Sequence, residues 1–555
     1  MTRRKWLALI LAAMMALTAL AGCAPPASEP SNPTTSEPST AAPADSNSAS
    51  ADTASDGDDA EVATLAMVST WDKLMPFDFS GNSGDVIADQ LFERLVIMRF
   101  DGSFEPRFAS TWEQSEDYRE LTITVNENAT WSDGTPMTAK DIQFTAELIT
   151  NPKVSAVRRS YFNIFAGTDE AGVATGDLGV KAPDEKTVVF TFKNPMDISV
   201  FFNIFNRNFY VLPEHIVKDM DLENLSADPF WQMPTVTGGP YKPTNVVAGD
   251  HIELEANKNY YLGAPDIEKL VIRVVQASNI LSGLISGNID IIAGGGSGSV
   301  PLEDWENAKS QENLECISIP SYGYQYMAVN QTTVPKQVRQ AISLAINRQV
   351  IVDALLQGEG KALMVPFPEP HPYYVEHPVE FDVEAAKALV EESGFDTSKT
   401  LTLTYGTGNV VRERSAALIQ QDLQKIGLTV QLEVVDLPTL LTKLREGQTD
   451  FGLIGASGSL DPDEVAGVYV TQSTNNFACI EDTSFEELLA KGASETSFET
   501  RKPIYDEWQE KALDECYYIY FYSANSLMAY NSRLSNVDVE AFNNLNWCSW
   551  EWEIN

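Results

Sequence analysis

The sequence predicts a protein of the α/β class, and three patterns in the chain carry this prediction. Residues 401–456 alternate between strand-like and helix-like segments. Apolar residues at every second position mark further strands near residues 121 and 188. A helix signal with its own capping residues stands between those two strands. Because strands that alternate with helices form βαβ units, we expect a mostly parallel sheet.

The first of these elements is the stretch ELTITVNENATW, which places Leu121, Ile123 and Val125 on one face. This period of two is typical of a half-buried strand. The turn signal SDGTP follows, and then Thr138 with Asp141 three residues later begins the helix AKDIQFTAELIT in the manner of a capping box. The stretch KTVVFTFKN alternates in the same way and predicts a second strand.

Residues 401–456 predict five elements in succession. LTLTYG is a strand, and a helix follows with Ala416, Ile419, Leu423 and Ile426 on one face. Gly427 ends this helix. LTVQLEVV then predicts a strand, PTLLTKLREG a short helix and DFGLIGA a buried strand.

Two polar loops follow strands of this region and are candidates for a ligand site. One begins at Tyr405 with YGTGN, and the other is GASGSLDPD at 455–463. Ligands of parallel α/β sheets bind beyond the carboxyl ends of the strands. The small polar residues of both loops favour a site lined by backbone, and two ordinary connecting loops are the alternative.

The first 61 residues are predicted to lie outside the folded body. Residues 1–22 have the basic start and apolar run of a signal peptide, and the run is too short to span a bilayer. The step LAGC resembles a bacterial lipobox, in which Cys23 becomes the lipidated first residue; an ordinary cleavage site is the alternative. Residues 23–61 are rich in Ser, Thr, Ala, Pro and acidic residues, which predicts a disordered tether. We therefore expect attachment to the membrane through lipid alone.

The charge of the chain excludes some partners. The sequence has 38 Lys and Arg against 79 Asp and Glu, a formal net charge of −41. Nucleic acids and anionic lipids require basic patches, so we expect neither as a partner. The cysteines after the tether match no zinc pattern, and we expect buried free thiols with at most one disulfide; they are Cys316, Cys479, Cys516 and Cys548.

A secreted hydrolase is the main alternative from another functional class. GASGS and GGSGS each lack the last glycine of a nucleophile elbow, and no H-E-x-x-H or phosphate-binding loop with Lys is present in the sequence. His371 and His377 in HPYYVEH raise the question of a metal carrier, but a surface loop is the favoured interpretation. We expect no enzyme activity, no cofactor and no metal site.

Several stretches together resemble one known family. They are WSDGTPMTAKDIQFTAEL, GGPYKPTNVVAGDHIELEANKNYY, LISGNIDI, VRQAISLAINRQVIVDALLQGEGK, FDVEAAKALVEESGF and the segment ending in DFGLIGASGSLDPD. In this order they resemble the extracytoplasmic solute-binding proteins of ABC importers, of the oligopeptide, dipeptide and nickel type (family 5). The resemblance extends over essentially the whole body from about Val62 onward.

The resemblance implies a two-lobed periplasmic-binding-protein fold of type II, in the large peptide-binding class, with an inserted subdomain in lobe I. The implied ranges are 62–110, 233–322 and 506–555 for lobe I, 111–232 for the insert and 323–505 for lobe II. The glycine-rich GGGSGSV after NIDIIA would then be a loop of lobe I near the cleft.

The resemblance also implies ligand-binding residues. Peptide-binding members pair an extended ligand with backbone from both lobes, and the matching positions are Asn82, Ser83 and Gly84 in lobe I and Ser457, Gly458 and Ser459 in lobe II. Such pairing tolerates many side chains and still sets the register.

One position departs from the family pattern. Many members bind the α-amine of the peptide with an Asp three residues before an acidic-Pro step. Here that step is Asp461-Pro462, and Gly458 stands where the Asp would be. Gly455 replaces the Trp that usually precedes it. A blocked or unusual peptide, or a neutral oligomer such as a glycan, is therefore expected, unless Asp461 or Asp463 turns inward and supplies the charge.

The function that the resemblance implies is the substrate-binding subunit of an ABC importer. Its partners would be a peptide or other oligomeric solute and the permease and ATPase subunits, and its body would be monomeric. It would act at the extracytoplasmic face of the bacterial membrane or in the periplasm. An oligosaccharide, a nickel chelate or a sensing role are the alternatives within the family.

Overall fold

The computed structural model describes residues 62–79, 81–294, 296–369, 371–540 and 545–555, all within the unit Gly57–Asn555. The predicted signal peptide, Cys23 and the tether lie outside the described residues. No helix in the described part of the chain has the length and apolar character needed to span a bilayer.

The first large sheet has seven strands, in which Val62–Met67 lies near the centre. This strand runs parallel to both of its neighbours, and the remaining pairs are antiparallel. In spatial order the strands are Leu314–Ile319, Ser526–Asn531, Ile291–Ile292, Val62–Met67, Lys269–Val274, His251–Ala256 and Tyr241–Val247. Leu65, Leu270 and Ile272 point into one core that this sheet shares with its helices.

The second large sheet has six strands and a core of its own. In spatial order they are Gly360–Ala362, Tyr518–Ala524, Tyr324–Val329, Phe451–Ala456, Thr400–Gly406 and Thr429–Val435. Thr400–Gly406 is parallel to both of its neighbours, as predicted. The other pairs are antiparallel, so the expectation of a mostly parallel sheet is wrong for the sheet as a whole. The difference arises because Tyr324–Val329 and Gly360–Ala362, which lie outside residues 401–456, run against the other strands.

The five elements predicted in residues 401–456 are confirmed, with the helices Val410–Lys425 and Leu437–Arg445 between the three strands. Ala416, Ile419 and Leu423 are buried against the sheet. Gly427 follows the first helix with a φ of +84°, a conformation that glycine adopts without strain.

The inserted segment builds a four-stranded antiparallel sheet from Ala109–Gln114, Glu120–Val125, Thr187–Thr191 and Val180–Lys181. The predicted helix is Ala139–Thr150, and its capping box is formed by Thr138 and Asp141. Leu121 and Ile123 are fully buried, as their alternation predicts.

The remaining helices and short strands complete the two lobes. The α-helices not yet given are Asn82–Leu91, Ile198–Phe201, Glu214–Val217, Ile280–Ser286, Trp305–Lys309, Lys336–Ala345, Arg348–Leu355, Val383–Ser393, Pro462–Ala466, Ser484–Ser494 and Phe498–Glu515. Two strand pairs stand apart from the large sheets, Val96–Met98 with Phe104–Pro106 and Leu534–Ser535 with Glu553–Ile554. The cysteines at 316, 479, 516 and 548 are free thiols.

The chain crosses between the two large sheets at two adjacent places. The first crossing lies between Ile319 and Tyr324, and the second lies at Asn525. Trp508 and Tyr520, which precede the second crossing, pack in a core with residues of the second sheet. The lobe and insert ranges given above stay a prediction.

Candidate ligand-binding cleft

A cavity of about 820 Å³ lies beside the two crossings and is lined by residues of both lobes. Its walls come from separate parts of the chain, namely residues 81–86, 157–161, 203–208, 296–299, 319–323, 457–464 and 524–528, together with the single residues Phe79, Arg94, Phe100, Gly294 and Trp547. Gly, Ser and Asn make up nearly half of the lining residues. This composition exposes backbone and small polar groups to the cavity.

Five of the eight residues predicted to bind ligand line this cavity: Asn82, Ser457, Gly458, Ser459 and Asp461. The glycine-rich loop predicted to lie near the cleft also contributes, through Gly294, Gly296, Ser297 and Ser299. Segments that are more than 370 residues apart in sequence, such as Asn82 and Ser457, thus face one space.

The other three predicted residues are not among those that line the cavity. Ser83 is buried, and its hydroxyl donates to the carbonyl oxygen of Ser69 at 2.9 Å. Gly84 lies against the ring of Phe79, which would be 2.2 Å from a Cβ at this position. Tyr405 is half-buried in its strand, opposite Val434 and Leu453.

Residues from 457 to 464 form the lobe II wall of the cavity. The backbone of this wall requires glycine at position 458. Gly458 has a φ of +74°, and a Cβ at this position would lie 1.9 Å from the carbonyl oxygen of Tyr322. Any other residue would therefore be strained and would also collide with the first crossing. The missing aspartate is a consequence of how closely this loop approaches the crossing.

Asp461 is the acidic residue of the lobe II wall that is closest in sequence to Gly458. It caps the short helix Pro462–Ala466 by accepting a hydrogen bond from the backbone N–H of Asp463 at 3.1 Å. Burial, with a contribution from Asp463, raises the pKa of Asp461 to about 6, against an opposing effect of Arg501. The guanidinium of Arg501 lies 3.6 Å from Asp461 and 3.0 Å from Asp463. Asp461 is thus only partly neutralised by a cation.

The two other acidic residues of this wall are already bound within the protein. Asp463 accepts hydrogen bonds from Arg501 and from the hydroxyl of Tyr505, and it does not line the cavity. Glu464 lines the cavity and accepts a hydrogen bond from the Ser459 hydroxyl at 2.6 Å. The lobe II wall is therefore acidic, with its serine hydroxyl oriented by Glu464.

His371 supports this wall from behind, and here the prediction of a surface loop is wrong. Its side chain is 3 % exposed. The backbone N–H of Tyr373 donates to its Nδ1 at 3.1 Å, so Nε2 carries the proton and donates to the carbonyl oxygen of Ser459 at 2.9 Å. Burial lowers the pKa of His371 to about 3, which keeps the imidazole neutral. The aromatic residues around it gave no sequence signal for this role.

The lobe I wall is formed in part by the helix Asn82–Leu91 and by residues 157–161 and 203–208. It contains an ion-pair network that the sequence did not indicate. Arg158 donates to both carboxylate oxygens of Asp85 at 2.9 Å. Arg94 lies 3.4 Å from Asp85, donates to Asp89 at 2.7 Å and donates to the backbone carbonyl of Asn206 at 2.6 Å. Asp85 and Asn82 share one face of the helix Asn82–Leu91 because they are three residues apart. The acid of this wall is therefore paired with two cations.

The sequence matches a known protein family. The family model for bacterial extracellular solute-binding proteins, family 5 (middle), covers residues 103–478, which is more than half of the chain. The chain belongs to this family.

Relatives of this solute-binding protein cover most of its length. The periplasmic oligopeptide-binding protein of Salmonella typhimurium is 26% identical over 470 residues, which span 80% of this chain and 83% of the relative. Among solved structures, the ABC transporter substrate-binding protein CtaP of Listeria monocytogenes has a TM-score of 0.77 at 24% identity and covers 89% of this chain and 99% of its own. NikZ of Campylobacter jejuni, solved with Ni(L-His), has a TM-score of 0.69 at 20% identity and covers 89% and 99%.

These similarities confirm the two-lobed fold of the large peptide-binding class. In this solute-binding protein the cavity lies between the lobes at the crossings. Tyr322 at the first crossing contacts lobe I, since its hydroxyl donates to the carbonyl oxygen of Phe100 at 2.8 Å. The cavity thus adjoins the segments about which the lobes would move.

Proposed function

We propose that this solute-binding protein is the substrate-binding subunit of an ABC importer, which captures a peptide-like solute between its lobes and delivers it to a permease with ATPase subunits. The observation that carries the proposal is the cavity between the lobes, with glycine- and serine-rich backbone on both walls. The relatives named as an oligopeptide-binding protein and an ABC transporter substrate-binding protein support it.

An extended solute would pair with the backbone of residues 457–459 on lobe II and of Asn82 and residues 296–299 on lobe I. Main-chain hydrogen bonds bind many peptides without regard to their side chains. Small-molecule sites typically have volumes of about 300–1,000 Å³, and the cavity of about 820 Å³ lies in this range. A short oligomer is therefore the class of solute that fits.

The solute is expected to bind without a free α-amine. Gly458 offers no carboxylate, and a side chain at that position would collide with the carbonyl oxygen of Tyr322, 1.9 Å from the Cβ. Asp461 is already engaged within the protein, because it caps the helix Pro462–Ala466 and lies 3.6 Å from the guanidinium of Arg501. An N-blocked peptide or a neutral glycan is the solute that we propose.

A solute bound by both lobes should favour the closed arrangement, because only that arrangement lets it contact both walls. Saturating solute should reduce the radius of gyration in small-angle scattering and raise the melting temperature. A tight ligand that leaves the scattering curve unchanged would argue against capture between lobes.

A nickel chelate is the second candidate, and the fold similarity to NikZ favours it. Within the described residues no group of three His, Cys, Asp or Glu could hold a metal ion. Nickel would therefore enter only inside a chelating ligand. A thermal-shift panel should contain matched peptides, free and N-acetylated, with oligosaccharides and nickel-histidine.

In that panel, N-acetylation should change the affinity of a bound peptide by less than about tenfold, or 1.4 kcal/mol. Tight binding of free peptides with no binding of their acetylated twins would refute the N-blocked solute. The next variant to make would then be Asp461→Asn.

We also propose that Cys23 carries a lipid anchor that holds the body at the extracytoplasmic face of the membrane. Cys23→Ser should release the body into the soluble fraction with its melting temperature unchanged, because a diacyl anchor binds a membrane stably and its loss does not touch the fold. A Cys23→Ser protein that still sediments with membranes would contradict the anchor.

A further inference from the structure

Three buried polar atoms line the cavity without a hydrogen-bond partner in the described protein. One is the side-chain oxygen of the half-buried Asn203. The other two belong to more deeply buried residues: the hydroxyl of Ser297, a residue 1% exposed, and the indole N–H of Trp547, a residue 4% exposed. A buried donor or acceptor left unpaired costs about 1–3 kcal/mol, so most such groups in folded proteins are paired. At a cavity wall, a ligand is a natural source of the missing partner.

Ser297 and Trp547 both lie beside the helix Asn82–Leu91, on the same side of it. A Cβ on Gly296 would lie 2.7 Å from the amide nitrogen of Asn82, which places Ser297 by the first turn of the helix. The amide of Asn546 donates to the carbonyl oxygen of Val86 at 3.4 Å, which places Trp547 one turn further. Residues four apart on a helix are separated by about 6 Å. One ligand group can therefore span both.

The chemistry of the two groups defines what they would accept. An indole N–H donates only, whereas a serine hydroxyl donates and accepts. The ligand must therefore present an oxygen or nitrogen acceptor to Trp547.

The charges nearby favour a neutral acceptor. The guanidinium of Arg94 lies 5.2 Å from the Trp547 ring, but Asp89 and Asp85 already pair with it. The second cation of this wall, Arg158, is bound by Asp85. A third cation, Arg207, also lines the cavity, and Glu464 and Asp85 are its nearest acidic neighbours. Three cations thus face three carboxylates, namely Asp85, Asp89 and Glu464, and their charges balance without an anionic ligand group.

We propose that Ser297 and Trp547 form a subsite that selects a neutral oxygen-bearing group at one position of the solute. In a peptide this group is the side chain of Asn, Gln, Ser or Thr, and in a glycan it is a hydroxyl or N-acetyl group. The subsite rests on the proposed function, since it lies in the same cavity and acts on the same solute.

The test uses blocked tetrapeptides, N-acetylated and C-amidated, with alanine at three positions and one varied position, together with chitotetraose. Binding is measured by native mass spectrometry for the wild type, Ser297→Ala, Trp547→Phe and the double variant. Trp552→Phe is the matched control, because Trp552 is buried with an unpaired indole N–H and does not line the cavity.

The wild type should prefer Asn, Gln, Ser or Thr over Leu and Asp at one position by about fivefold to tenfold, as expected for one or two hydrogen bonds. The double variant should lose this preference while it still binds the pool, and Trp552→Phe should keep it. If chitotetraose is the ligand, the double variant should weaken its binding by a similar factor. Should Trp547→Phe fold poorly, Ser297→Ala alone should reduce the preference by about half or more.

Two further outcomes separate this inference from the proposed function. Binding of the pool with no such preference, or with the same preference in the double variant, overturns the subsite and leaves capture of a solute intact. If neither the peptides nor chitotetraose bind the wild type, capture of such a solute is overturned, and the subsite falls with it.

Discussion

The two walls of the cleft carry acidic residues in different surroundings. On the lobe I wall, Asp85 is paired with Arg158 through two hydrogen bonds and lies 3.4 Å from Arg94. On the lobe II wall, Asp461 and Asp463 share the guanidinium of Arg501. Burial consequently raises the pKa of Asp461 to about 6. The comparison indicates that Asp85 of lobe I is paired within the protein, whereas Asp461 of lobe II is sensitive to pH and to the charge of the solute.

The walls also differ in what determines their shape. Side-chain ion pairs hold the lobe I wall, while the lobe II wall depends on the backbone conformation of Gly458 and on His371 behind it. Substitutions that change one of these determinants at a time can test the difference.

The largest effect is expected at Gly458. Gly458→Ala should lower the free energy of unfolding by about 3 kcal/mol, because it combines a left-handed φ with a close approach to the Tyr322 carbonyl oxygen. Gly408 has a φ of +95° and open space around it, so Gly408→Ala should cost only about 1 kcal/mol. Gly467 has a φ of −58°, and Gly467→Ala should stay within about 0.5 kcal/mol. Equal effects at 458 and 408 in urea unfolding would show that the close approach does not matter.

The second effect concerns the ion pairs of lobe I. Asp85→Asn removes the partner of Arg158 and weakens the pairing of Arg94, both largely buried, so we expect a loss of about 2 kcal/mol. Glu255→Gln is the control, since Glu255 pairs with Lys242 on an exposed strand and should change stability by less than about 0.5 kcal/mol. If both variants unfold at the same urea concentration, the lobe I network is not a determinant of that wall.

The third effect is the pH dependence of lobe II. Asp461 has a folded pKa of about 6, above its usual 3.8, so its contribution to stability is fully present below 3.8 and is lost as pH rises through 6. Asp463, Glu464 and Arg501 face it and are kept in the variant. Asp461→Asn retains the cap and removes the titration, so the stability of this variant relative to the wild type should rise by about 2 kcal/mol between pH 4 and pH 7.5. Melting temperatures of the two proteins at several pH values measure this. A constant difference across that range would refute the raised pKa.

The smallest effect separates two serines of one loop. Ser459 is buried and donates to Glu464 at 2.6 Å, so Ser459→Ala should cost between about 0.5 and 1 kcal/mol. Ser457 is exposed, and Ser457→Ala should fall below that range. The same two variants should weaken solute binding little if backbone pairing dominates. A larger loss of stability at Ser457 would mean that the loop is held by a contact other than the one to Glu464.

Much of the fold could be predicted because its signals are local. The capping box of Thr138 and Asp141, the buried helix face at Ala416 and Ile419, and the helix stop at Gly427 all depend on residues a few positions apart. Each signal reflects the 3.6-residue helical or the two-residue strand period. The mixed direction of the second sheet could not be predicted in this way, since it is set by Tyr324–Val329 and Gly360–Ala362, which join the sheet from outside residues 401–456.

The sequence by itself determined the α/β class, the polar loop at 457–461 and the absence of an aspartate at 458. Only the tertiary structure decided why glycine is needed there, because the constraint is the Tyr322 carbonyl oxygen, 136 positions away in a loop of another segment. The same holds for Asp85 with Arg158 and for His371 with Ser459, which are 73 and 88 residues apart. Contacts of this kind form when the two lobes and the insert pack together, and no periodicity in the chain encodes them.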